Sequence, residues 1–404
     1  MSFISFWRIK ASFFVLSVFT IQSLGLAGIT EVFGRSKVLN IEPIADLSSE
    51  TCQNVYKINS PIHPATYTIK RYRITYQTVD FHGKLTKASG LLAFNPAIKQ
   101  QVIASYQHGT SIAAERVPSS GGILPEGEVA TCLYAGSIYV LAAADYLGLG
   151  VSELVHPYLD IKTEATATRD MIGASRKALG TIGHVAPRGI VLTGYSQGGP
   201  ATMALLKDIE RFPILGTKVL AAAPMAGAYD LGEPTLAFLD NPRPYFANML
   251  MVYTLYSMNH YHSLFEDVTT KIKDPHKGLI RLFQLKDETT INKLLPEFPE
   301  ELFTAEFLNE IRYDETSKIR QVLAANNIFG FKTKVKIAYI YAGGDDTVLP
   351  ENSKIAHASM IEFGSDAKLI NVGDQYDHKT GFGPAQQAAF RFISETLAEY
   401  AEKK

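Results

Sequence analysis

The chain has 404 residues and a formal net charge of −1, with a sequence pI of about 6.8. Its 46% hydrophobic and 20% charged residues are those of a globular protein with a substantial core, which excludes disorder as the default state. No block of like charge stands out, so there is no electrostatic footprint for nucleic acid or an anionic membrane.

The opening MSFISFWRIK carries two positive charges, and the stretch from Ala11 to Thr30 carries none. Gly25 and Ala27 stand where a signal peptidase reads small residues, which predicts a signal peptide over 1–27 and a secreted or periplasmic mature chain. That chain would hold no tryptophan, because Trp7 is the only one. The uncharged run is also long enough to span a bilayer, so an uncleaved membrane anchor is the alternative. Cys52 and Cys132 are the only cysteines; they are a candidate disulfide in an oxidising compartment, and two unpaired core cysteines otherwise.

From Thr66 to Phe94 the text alternates with a period of two around a turn at His82-Gly83, which predicts an antiparallel hairpin. Short runs apolar on both faces follow at 101–107, 137–145, 189–195, 218–225, 334–342 and 367–372, as buried parallel strands require. Helical periodicity separates several of them and closes the chain after Pro384. The pattern predicts an α/β fold with a mostly parallel sheet, its core split into 28–229 and 334–404. Residues 230–333 are too many for a crossover; aromatic text such as PYFANMLMVYTLYSMNHYHSLF makes them a helical cap over one end of the sheet.

TGYSQGG, residues 193–199, sits where the strand text GIVLTGY meets the helix text GGPATMALLKDIERF. Such a turn exposes a serine hydroxyl at the carboxyl end of a sheet, and Gly194 and Gly198 remove side chains where strand and helix nearly collide. Ser196 is therefore the candidate nucleophile, with a helix N-cap as its structural reading. The N–H of Gln197 is one candidate oxyanion donor, and the backbone at Gly109 and Thr110, in the loop after 101–107, is the other. An acid and then a histidine must follow in the chain. GGDDTVLP offers Asp345 and Asp346; the spacing from Gly343 to Leu349 and Pro350 favours Asp346, and Asp230 is a third candidate. His378 follows the last strand and is the candidate base, whereas His357 lies in a helix-like stretch and His108 precedes the serine.

YQHGT, DYLGLG with HPYL just after it, GYSQGG and GGDDTVLP occur in an order that resembles the secretory lipase family of α/β-hydrolases over roughly residues 45–400. Cutinases share GYSQG but are far shorter and lack DYLGLG. The resemblance implies an α/β-hydrolase core with a lid between the sixth and seventh strands, Ser196, Asp346 and His378 as a triad, and neither cofactor nor metal. The base departs from the family pattern at GDQYDHKTG, where a simpler Gly-His is usual.

The expectation is thus a secreted lipase or carboxylesterase working through an acyl-enzyme on a small-molecule or lipid ester, with contact at a lipid interface and no nucleic-acid partner. Acyl transfer to another alcohol, or amide hydrolysis, uses the same residues, and a non-catalytic binding protein on the same fold is the reading from a different class. Oligomeric state is left open.

Overall fold

A computed structural model describes residues 35–54, 57, 67–99, 101–122, 124–232, 236–237, 247–283, 285–286 and 288–402. The expected signal segment and Trp7 lie outside them, as do Pro244, Tyr245 and Phe246 of the aromatic stretch.

Nine strands form one sheet in the order β1-β2-β3-β5-β4-β6-β7-β8-β9. These are β1 (Val38–Ser48), β2 (Thr68–Val79), β3 (Leu85–Phe94), β4 (Val102–Gln107), β5 (Tyr139–Ala144), β6 (Gly189–Tyr195), β7 (Lys218–Met225), β8 (Lys336–Tyr341) and β9 (Ala367–Asn371). The pairings among β1, β2, β3 and β5 are antiparallel; from β5 through β4 to β9 every pairing is parallel. β4 and β5 are buried along their whole length, as strands covered on both faces must be.

β1 was not expected from the sequence. It is an edge strand carrying Pro43, which an edge tolerates, and register shifts between Val38 and Asn40 and between Ile44 and Leu47 break the two-residue alternation. Its presence raises the strand count by one, so the helical segment expected between the sixth and seventh strands lies between the seventh and eighth, β7 and β8.

The long helices are α1 (Ile161–Thr181), α2 (Gly198–Arg211), α3 (Ala247–His262), α4 (Ala305–Tyr313), α5 (Lys318–Ala325), α6 (Pro350–Glu362) and α7 (Phe382–Glu402). One core layer joins the sheet to Ile172 of α1, Leu205 of α2 and Met360 of α6; the opposite face packs against Phe392 and Ile393 of α7. Cys52 and Cys132 lie in this second layer and form a disulfide, which decides between the two alternatives left open by the sequence. α1 starts where Asp160 accepts the Thr163 N–H, and α6 starts on Pro350, each satisfying or removing a donor that a helix N-terminus leaves over.

A third apolar cluster lies apart from the sheet, between α3, α4, α5 and the segment around Tyr158. α3 buries Met249, Met251, Val252, Tyr253, Leu255 and Met258, more than one helical stripe holds. Ser257 Oγ accepts the Tyr158 N–H and donates to His156 O, both at 2.8 Å, so the cap is tied to the core segment that follows β5.

Candidate active site

Ser196 follows the last residue of β6 and precedes α2 by one residue, with φ at +57°. A non-glycine residue rarely adopts that conformation, and the surroundings hold it: the Ser196 N–H donates to Met225 O on β7 at 3.0 Å. The flanking glycines are steric requirements. A Cβ on Gly198 would sit 1.9 Å from Gln107 O, and one on Gly194 would sit 2.4 Å from Gly198 O.

His378 stands in the loop between β9 and α7, and its Nε2 lies 2.9 Å from Ser196 Oγ. Tyr195 OH donates to the His378 carbonyl at 2.5 Å, which fixes that loop from the strand beneath. His378 Nδ1 lies 2.7 Å from Asp345 Oδ2. A carboxylate only accepts, so the imidazole proton sits on Nδ1 and Nε2 is left to accept from the serine hydroxyl.

The carboxylate that meets His378 is therefore Asp345 and not Asp346. Asp345 is 3% exposed; its N–H donates to Ala342 O at 3.2 Å, and its Oδ1 accepts the N–H groups of Thr347 and Val348 at 3.0 and 2.8 Å. That turn leaves Oδ2 facing the histidine. Asp346 is half-buried and meets the Thr347 hydroxyl at 3.4 Å. Asp230 is used elsewhere, where its Oδ1 accepts from Gly232 N–H and Asn327 Nδ2 at 2.8 and 2.9 Å.

The expected oxyanion donors divide. The Gly109 N–H donates to Glu126 Oε1 at 2.9 Å and is taken. The Thr110 and Gln197 N–H groups have no acceptor among the described residues. Glu126 went unnoticed in the sequence, where nothing in GGILPEGEV marks it. It also accepts from Tyr106 OH at 2.7 Å, and burial pushes it up to about 7 against those two hydrogen bonds. His108 is wholly buried with Nδ1 on Gly109 O at 2.7 Å, and desolvation pushes it down to about 4, so it shapes the loop as a neutral ring. His357 lies on α6 with Nε2 at 3.2 Å from Ala367 O.

Ser196 and Gln197 open onto a narrow pocket with a solvent-accessible volume of about 80 Å³. Its walls are almost entirely apolar, with Tyr158 on the core side and Leu231, Leu250, Leu255, Phe307 and Ile311 from the cap. Apolar walls with a few polar groups at one end are the character of a pocket for a small organic ligand. Among the described residues no group of three His, Cys, Asp or Glu side chains is placed to hold a metal ion.

No family model matches the chain, and no curated protein matches it by sequence. Solved structures do match. A proposed hydrolase from Legionella pneumophila superposes with a TM-score of 0.82 at 27% identity, covering 89% of this chain and 98% of that one. The rice cell wall degrading esterase LipA from Xanthomonas oryzae gives 0.79 at 22% identity over 91% and 99%. Candida antarctica lipase A in its closed state gives 0.63 at 13% identity over 89% and 83%. These neighbours, taken with the order and direction of the nine strands, show that the chain has an α/β-hydrolase fold, similar to those of a Xanthomonas esterase and a Candida lipase.

Proposed function

We propose that the chain is a serine hydrolase that cleaves carboxylic esters with an apolar acyl group, with Ser196 as nucleophile, His378 as general base and Asp345 as the acid that orients it. The observation that carries this reading is the hydrogen-bonded line from Ser196 Oγ through His378 to Asp345, opening onto the apolar cavity. Ser196 Oγ attacks the acyl carbonyl while its proton passes to His378 Nε2, and Asp345 stabilises the imidazolium through the Nδ1–H. The carbonyl oxygen gathers negative charge and receives the Gln197 and Thr110 N–H groups. Collapse breaks the ester C–O bond, and His378 returns the proton to the departing alkoxide. Water then repeats the sequence on the acyl-enzyme and releases the acid.

The cavity supports the choice of acyl group, because each methylene buried from water contributes about 0.8 kcal/mol. A panel of p-nitrophenyl esters from acetate to palmitate tests this. kcat/KM is expected to rise from acetate through at least hexanoate; a flat or falling profile would remove the apolar-acyl part of the reading. The Cys52–Cys132 disulfide supports an oxidising compartment and, with the apolar N-terminal text, export from the cytoplasm. Two free thiols in denatured protein isolated from its native compartment would count against that placement.

A further inference from the structure

The Gln197 side chain connects the Ser196 turn to two polar groups buried beneath it. Its Nε2 donates to His156 Nε2 at 2.9 Å and to Glu164 Oε1 at 2.8 Å. His156 Nδ1 lies 2.7 Å from Leu147 O, a carbonyl that only accepts, so Nδ1 carries the proton and Nε2 offers its lone pair to the amide. Gln197 is 2% exposed, and His156 and Glu164 are each 1% exposed. Three chain segments thus meet at one amide: the turn after β6, the HPYL segment and the first turn of α1. Gly148 of DYLGLG permits the meeting, since a Cβ there would sit 2.2 Å from His156 N.

This arrangement costs free energy. Burying three polar side chains is unfavourable unless all are satisfied, and among the described residues Gln197 Oε1 has no hydrogen-bond partner. Apolar side chains of similar volume would fill the space at lower cost. What the polar set supplies is direction. Gln197 is the residue next to the strained Ser196, and its N–H has no acceptor among the described residues, so a side chain held at two points restrains the rotation that would swing that N–H away.

We propose that His156 and Glu164 are positioning residues which clamp the Gln197 side chain and so hold the Gln197 backbone N–H toward the oxygen that becomes charged. This rests on the serine-hydrolase reading above. The clamp works without formal charge: burial pushes His156 down to about 4 and Glu164 up to about 8. The titratable groups facing Glu164 are Asp160 on its own helix, which raises it further, Tyr146 after β5, and His156 and Tyr158 on the HPYL segment. His108 stands beyond His156 and adds to its depression. Ionised above about pH 8, Glu164 accepts from Gln197 Nε2 more strongly still, so the clamp does not depend on the proton.

The test is steady-state kinetics on a p-nitrophenyl ester from pH 6 to 9.5 for wild type, Glu164→Leu and Glu164→Gln, with fluorophosphonate labelling of wild type run alongside. Glu164→Leu removes the acceptor and should lower kcat about tenfold or more at pH 7 with KM little changed, because the pocket walls are untouched. Glu164→Gln restores an acceptor oxygen for Gln197 Nε2 and should recover most of that loss. A wild-type kcat in Glu164→Leu, or a loss in Glu164→Gln as large as in Glu164→Leu, overturns the clamp while labelled wild type keeps the parent reading. If Glu164→Leu does not fold, His156→Phe, which removes the other anchor of the amide, decides: a kcat within about twofold of wild type overturns the clamp, and a fall of about fivefold or more with KM little changed supports it. Failure of wild type to label overturns both readings together.

Discussion

On the strand side of Ser196 the limits are set by backbone: Gly198 cannot gain a methyl group without displacing Gln107 O, and Met225 O and Ala342 O receive the N–H groups that fix Ser196 and Asp345. On the cap side the cavity is walled by side chains alone, from helices docked through apolar contacts and a few hydrogen bonds such as those of Ser257. The first construction holds atoms to within a few tenths of an ångström, as bond-making needs. The second fixes only a volume, which is enough to select an apolar chain and easy to reshape. Changes on the strand side should therefore act on turnover with any ester, and changes on the cap side on the choice among esters.

The largest contrast is expected between neighbours. Asp345→Asn should lower kcat about 10⁴-fold, because an amide cannot hold His378 in the reactive tautomer, while Asp346→Asn stays within about threefold of wild type. Similar losses in both would detach the chemistry from the Asp345 turn. Gly198→Ala comes next, with a drop of about 100-fold for acetate and longer esters alike, since it shifts Ser196 relative to His378. A loss confined to long esters would place that glycine on the wrong side of the comparison.

The main features of the strand side are legible in the sequence. Ser196 and His378 follow from the glycine spacing and from their order along the chain, and the parallel strands follow from runs apolar on both faces. The acid is not, because Asp345 and Asp346 are adjacent in a turn and spacing carries no direction; the Ala342 carbonyl and the N–H groups of Thr347 and Val348 decide which one faces inward. Gly109 reads as an oxyanion donor until Glu126, seventeen residues on, takes its N–H. The contact of Gln197 with His156 and Glu164 joins segments 41 and 33 residues apart, a tertiary event with no local signature. β1 escapes notice because its register shifts spoil the alternation that marks a strand.

Smaller effects should come from the cap. Leu250→Trp narrows the cavity from the α3 side and should lower the ratio of kcat/KM for octanoate over acetate about tenfold, leaving acetate within about threefold. An equal loss on both esters would mean that the cap helps to position the reacting atoms.

One further effect is on stability and belongs to the strand side. Glu164 keeps its proton in the folded chain up to about pH 8, whereas the unfolded chain loses it near the ordinary value of 4.5. The folded state thus binds more protons across that window, so the stabilisation linked to this group is fully present below 4.5 and lost as the pH rises through 8. Glu164→Gln removes the dependence, and urea unfolding should show the variant gaining on wild type from pH 5 to 8. Parallel profiles would mean that the acid is already charged in the fold.

The central claim, an activated serine at the end of β6, is tested most directly by treating the folded protein with a small fluorophosphonate and locating the adduct by peptide mass spectrometry. A single adduct on Ser196 is expected, absent in Ser196→Ala and formed at a strongly reduced rate in Asp345→Asn, with Leu250→Trp labelled as fast as wild type. No adduct, or one on another residue that persists in Ser196→Ala, would contradict it.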